Sequence, residues 1–175
     1  MIDTHCHIND DLYVDNPENY INEAQEAGVK NFLVVGFDEK SSVDAIEIAN
    51  KFSNCYACVG IHPSDYKKTD EKVFERLEKL ARNNKVIGIG EIGLDYYWDK
   101  DEQVRTEQKF AFIKQIEIAN KLNLPISIHC RDAIEDCLEI LKKNPVKRGG
   151  IMHCYAGSVE SAKEFIKLGF ILGFG

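Results

Sequence analysis

All five histidines of this 175-residue chain stand at or just past the carboxyl end of a short apolar run. His5 and His7 close the first run in IDTHCHIND, His62 follows the third in GIHP, His129 ends the fifth in SIHC, and His153 ends the sixth in IMHC. Glu91 closes the fourth run in IGIGEIGLD. Imidazoles and a carboxylate crowded at one point repel one another and lose hydration, and a divalent cation is the usual compensation. A lone strand-end histidine is more often structural; the set as a whole points to a metal centre. Alternate residues of a strand face the same side, so the HxH pair is a natural half-site. A carboxylate has two oxygens and can bridge two ions about 3.5 to 4 Å apart. The reading assigns His5, His7 and Glu91 to one ion, and Glu91, His129 and His153 to a second. Zinc, manganese, iron, cobalt and nickel all suit such donors.

These residues need elements that bring them together. Seven apolar runs, residues 1–7, 29–37, 55–61, 86–91, 124–129, 150–153 and 170–174, each read as a buried strand. Amphipathic segments separate them. Val73, Leu77, Leu80 and Ala81 lay one stripe along a helix with Asp70 as its N-cap, and Phe110, Ile113, Ile116 and Ala119 do so in a helix over 102–122. Gly28 and Gly169 sit where left-handed C-caps belong. Strand and helix alternate without a Pro-rich or Ser-rich linker, which predicts one parallel α/β domain over 1–175. Pattern alone leaves a doubly wound sheet and a nearly complete barrel both open. In either, active sites form at the carboxyl ends of the strands. Parity places Arg131 with His129 and Tyr155 with His153, and turns Cys6, Cys130 and Cys154 the other way, beneath the helices of a barrel. Gly88, Gly90 and Gly93 around Glu91 signal a close approach of backbone or ligand.

Composition narrows the partners. The net charge of −7 argues against a broad basic nucleic-acid face. A phosphate-bearing substrate therefore needs a local positive centre. No run approaches a membrane span and no secretory signal is evident, so a cytoplasmic location is expected, with no membrane and no obligate protein partner. Six cysteines are too few for a disulfide framework. Cys55 and Cys58 lack a second CxxC and the parity for a zinc site. Tyr96, Tyr97 and Trp98 read either as substrate-stacking aromatics or as a loop's own packing. The charged stretches 67–72 and 142–148 read as solvated faces.

At IDTHCHIND, VGIHP, IGEIGLDYYW, LPISIHCRDA and MHCYAG the chain resembles the TatD family of metal-dependent deoxyribonucleases, within the amidohydrolase superfamily. The resemblance implies an α/β TIM-like barrel with about seven of its eight strands present. It implies a two-metal centre ligated by His5, His7, Glu91, His129 and His153, and adds magnesium to the candidate ions. Glu91 separates the chain from amidohydrolases that use a bridging lysine. His62 matches the histidine expected at the substrate phosphate, and with Glu91 forms the expected catalytic set. Arg131 is a second candidate for a phosphate contact, from parity. Asp95 lies in the GLD pattern as a supporting or loop-forming residue. The expected activity is hydrolysis of DNA phosphodiesters by water activated between two divalent ions. Hydrolysis of another ester or amide, such as an aminoacyl-tRNA ester, and an inactive metal-binding fragment are the alternatives. The family's remaining ligand, an aspartate ending the eighth strand, has no counterpart before the final ILGFG. The expectation is a C-terminally truncated barrel, about 75 to 80 residues short of the usual ~250, with hydrolysis impaired or lost.

Overall fold

The apolar runs at the middle of the chain become strands buried on both faces, the pattern of a parallel sheet covered by helices, whereas the first and last runs leave Ile2 and Ile171 exposed. The computed structural model describes residues 1–68, 70 and 72–174. Its strands are β1 (Ile2–Cys6), β2 (Asn31–Val35), β3 (Cys55–Val59), β4 (Val86–Asp95), β5 (Ile126–Arg131), β6 (Gly150–Met152) and β7 (Phe170–Leu172). Between them lie α1 (Pro17–Glu26), α2 (Glu39–Lys51), α3 (Val73–Leu80), α4 (Glu102–Leu122), α5 (Ile134–Lys143) and α6 (Val159–Lys167). Among the described residues, no helix is long and apolar enough to cross a membrane.

The seven strands are all parallel and lie in the order β1-β2-β3-β4-β5-β6-β7. A doubly wound sheet reverses its strand order part-way. A sequential order is that of a (β/α) barrel, so the ambiguity left by the sequence pattern resolves in favour of the barrel arc. Among the described residues β1 and β7 each pair with a single neighbour.

Local chemistry sets the helix ends. Asp38 caps α2, accepting from the Ser41 amide at 2.7 Å, and the Ser41 hydroxyl oxygen in turn accepts from the Asp38 amide at 2.9 Å. Ser158 caps α6 through the Ser161 amide, and Gly28 and Gly169 take the positive φ expected of C-caps. Three expectations are corrected. Asp70 accepts from the Lys72 amide at 2.8 Å, in the turn before α3, and Lys72 occupies the N-cap position without a side-chain bond. Phe110 is half-exposed, packing beside Tyr66 and Phe74, while Phe112 takes the core position on α4. Cys154 is exposed with a φ of +44°, because β6 ends at Met152 and strand alternation lapses there; Tyr155 accordingly leaves the site and bonds Ser158 and Ser161. Of the stretch 67–72, residues 69 and 71 lie outside the described residues, as does residue 175.

Two buried glutamines on α4 fix the strand ends that matter. Gln115 accepts from the Ile61 amide at 2.7 Å and donates to its carbonyl at 3.0 Å. One face along, Gln108 accepts from the Asp95 amide at 2.9 Å and donates to its carbonyl at 3.1 Å. Each side-chain amide therefore acts as a strand neighbour beyond the end of the ladder, satisfying backbone groups that burial would otherwise leave unpaired. The result holds the chain beside His62 and at Asp95.

The glycines of β4 answer a packing need. A Cβ on Gly90 would meet Ser127 Cβ at 2.6 Å, and one on Gly93 would meet the His129 carbonyl oxygen at 2.0 Å. Gly93 also has φ +140°, where a side chain is strained. This close approach seats β4 against β5 and brings Glu91 beside His129. Gly93→Ala is expected to cost about 3 kcal/mol from strain and overpacking and to lower Tm by roughly 6 to 12 °C; thermal unfolding followed by circular dichroism checks this.

Candidate metal centre

The carboxyl ends of β1, β3, β5 and β6 converge on Glu91, whose side chain is only 7% exposed and which lies within β4, since that strand continues past the expected run end to Asp95. Its two oxygens face different histidines. Oε2 lies 3.4 Å from His5 Nε2 and 3.3 Å from His7 Nε2. Oε1 lies 2.9 Å from His129 Nδ1 and 2.7 Å from His153 Nε2. The His5 ring also stacks on that of His153, with centroids 3.9 Å apart. Burial raises the Glu91 carboxyl pKa, but hydrogen bonds from His129, His153, His5 and His7 outweigh it and hold the group well below the ordinary carboxylate range.

The spacing of the nitrogens fits a cation. Ring nitrogens of His5 and His7 are 3.1 Å apart, and those of His129 and His153 are 3.3 Å apart. Tetrahedral coordination at bond lengths near 2.0 to 2.1 Å would set two nitrogens about 3.3 Å apart. The rings are also oriented from behind, as metal-binding imidazoles usually are. His7 Nδ1 donates to the Val35 carbonyl at 2.9 Å, which turns Nε2 toward the centre. His5 Nδ1 meets the Ser127 hydroxyl at 3.2 Å. His129 Nε2 donates to Asp95 Oδ2 at 2.9 Å and so turns Nδ1 inward.

His62 has the opposite polarity. The Ser64 amide donates to its Nδ1 at 3.2 Å, which leaves the proton on Nε2, 3.7 Å from Glu91 Oε1. Burial lowers its pKa to about 4, more than the neighbouring carboxylates raise it, so at neutral pH it is an uncharged N–H donor. Two groups of donor atoms lie close enough to hold an ion: His5, Glu91 and His153, and His62, Asp95 and His129. In the second group both inward nitrogens carry hydrogens bonded or aimed at carboxylates. The Nδ1 side of His129, beside Glu91 and His153, is the better place for a cation.

Arg131 stands at the rim. Its guanidinium carbon lies 3.8 Å above the Tyr97 ring and 5.7 Å from that of Trp98. Cys55 and Cys58 are buried free thiols whose pKa values burial pushes up to about 11 and about 12. Tyr96 turns away, donating to Asp136 at 2.7 Å. The supporting residues Ser127, Gln108 and Gln115 were not singled out by sequence: α4 carries four side-chain amides, Gln103, Gln108, Gln115 and Asn120, and only Gln108 and Gln115, seven residues apart, fall on its buried face.

Residues 2–175 match the TatD related DNase family. The chain belongs to that family. It is 42% identical, over its full length and 68% of the relative's, to the uncharacterized metal-dependent hydrolase YabD of Bacillus subtilis. It is 30% identical, over 99% of its length and 66% of the relative's, to the 3'-5' ssDNA/RNA exonuclease TatD of Escherichia coli. Among solved structures, the TatD homologue YjjV of Escherichia coli superposes with a TM-score of 0.92 at 28% identity, over 98% of this chain and 66% of that one. The chain thus spans about two thirds of the length of these relatives. This TatD-family chain carries the convergent donors of a metal-dependent hydrolase.

Asp95 is the residue on which the orientation of His129 rests. Asp95→Asn keeps an oxygen for the His129 N–H but removes its charge, and is expected to weaken metal binding about 10- to 100-fold. Calorimetric metal titration of the folded variant measures the loss.

Proposed function

We propose that the chain hydrolyses phosphodiester bonds of DNA or RNA, with His5, His7 and Glu91 holding one divalent ion and Glu91, His129 and His153 a second. The observation that carries this reading is the single buried carboxylate with a histidine pair on each oxygen. The relative named as a single-strand exonuclease supports the substrate class. Such ions, when bound, activate water and neutralise charge on phosphoryl oxygens.

The protein's own groups do the remaining work. Glu91 fixes both donor sets relative to each other, and its freedom to move is small because β4 is seated on β5 through Gly90 and Gly93. His62 offers one neutral N–H, aimed inward, to a phosphoryl oxygen. Neutrality matters, since an imidazolium there would compete with a cation. Arg131 supplies a fixed positive charge at the rim. Only one face of its guanidinium lies on Tyr97, so its N–H edge remains available for a phosphate. Local cations thus replace the basic surface that a net charge of −7 denies. Free cysteines throughout suit a cytoplasmic setting.

Glu91→Ala, or chelation of the wild type, is expected to lower cleavage of a single-stranded oligonucleotide roughly 1,000-fold or more, the scale of losing several kcal/mol of transition-state stabilisation. Release of labelled nucleotides measures it, with an aminoacyl ester as the comparison substrate. Undiminished cleavage by Glu91→Ala would remove the proposal, and preferential turnover of the aminoacyl ester would redirect it.

A further inference from the structure

The loop after β4 presents two aromatic side chains to solvent. Trp98 is 69% exposed and Tyr97 44% exposed, with their rings edge to face at 4.6 Å. Large aromatic faces left in water on a loop would ordinarily be mobile. Here the loop is pinned on both sides. Asp95 Oδ1 accepts from the Tyr97 amide at 3.0 Å and the Trp98 amide at 3.2 Å. Asp99 accepts from Lys67 at 3.0 Å and Gln108 at 3.2 Å through its carboxylate, and from Arg105 at 3.2 Å through its carbonyl. The loop backbone is therefore held in place while the Trp98 ring stays largely exposed.

Their position relates them to the metal centre. Asp95 uses its other oxygen to orient His129, so one carboxylate fixes both a candidate metal donor and the aromatic loop. Arg131, two residues past His129 on β5, covers one face of Tyr97, and its guanidinium has no carboxylate partner among the described residues. A cation next to an open indole, beside a phosphodiester centre, matches a nucleotide: a π-face beside an anionic phosphate.

We infer that Tyr97, Trp98 and Arg131 form a nucleotide-binding platform, in which the exposed Trp98 ring stacks on an unpaired base and Arg131 holds the adjoining phosphate. The inference rests on the phosphodiesterase reading and adds to it the place of base recognition. A base inside a duplex has both faces covered by its neighbours, so the platform selects single strands or strand ends. Stacking tolerates any base, because every base has a π-face. Sequence preference at this position is accordingly weak.

Trp98 is the only tryptophan of the chain, so its fluorescence reports directly on stacking. In magnesium-loaded protein, deoxyadenosine 5′-monophosphate is expected to quench it saturably, while deoxyribose 5-phosphate, which lacks the base, leaves it unchanged. By polarisation of a labelled single-stranded oligonucleotide, Trp98→Ala is expected to bind about 5- to 100-fold more weakly, the range for losing one base stack, with Trp98→Phe recovering most of the affinity. Far-UV circular dichroism confirms that both variants fold. Unquenched fluorescence with both nucleotide and oligonucleotide, or unchanged affinity of Trp98→Ala, would overturn the platform. The two readings separate: quenching without cleavage keeps the platform and removes the nuclease, whereas cleavage without quenching does the reverse.

Discussion

A carboxylate within β4, removed from water where four other strand ends meet, is the constraint around which this protein is organised. Glu91 cannot remain there charged without compensation, since an unpaired buried charge costs several kcal/mol. Hydrogen bonds from four histidines offset that cost and keep the group ionised. The same imidazoles would otherwise be poorly accommodated: burial is the leading influence on His5 and lowers its pKa, whereas the carboxylate raises His7 and His129 above their ordinary values despite burial. Each party makes the other tolerable. A divalent cation between them would satisfy both, which is why the arrangement reads as a ligand cage and not as a structural ion-pair network.

One residue type fills several roles here, and the partner of the outer nitrogen decides which. A carbonyl behind His7 and a carboxylate behind His129 accept N–H bonds and turn the other ring nitrogen inward to Glu91, where a bound cation would replace its proton. An amide behind His62 donates to its ring and turns a proton inward. The first arrangement suits a cation and the second an anion. Asp95 extends this logic beyond the centre, because its second oxygen orders the loop that carries Tyr97 and Trp98.

Much of this was legible in the sequence. The placement of His5, His7, Glu91, His129 and His153 at apolar run ends was enough to predict their convergence, because a parallel sheet aligns its carboxyl ends. HxH parity on β1 was enough to put His5 and His7 on one side of the strand, where both meet Glu91 Oε2. Parity failed at Cys154 and Tyr155, where β6 is only three residues long and alternation no longer governs direction. The choice between open sheet and barrel was not readable from alternation, since both share it; strand order is a tertiary property. Nor were Gln108 and Gln115 evident, since their task is to satisfy backbone groups at Asp95 and Ile61 that only the folded strand ends expose. The aromatic run 96–98 divides: Tyr96 joins the protein's own packing and Tyr97 and Trp98 face solvent, a distinction set by the turn that Asp95 makes.

The most direct test of the central claim is the anomalous-scattering map of crystals soaked in manganese. The account predicts two peaks about 3.5 to 4 Å apart, one beside Glu91 Oε2 with His5 and His7, the other beside Oε1 with His129 and His153. A single peak, or a second ion held by His62 and Asp95 on the far side of His129, would contradict it.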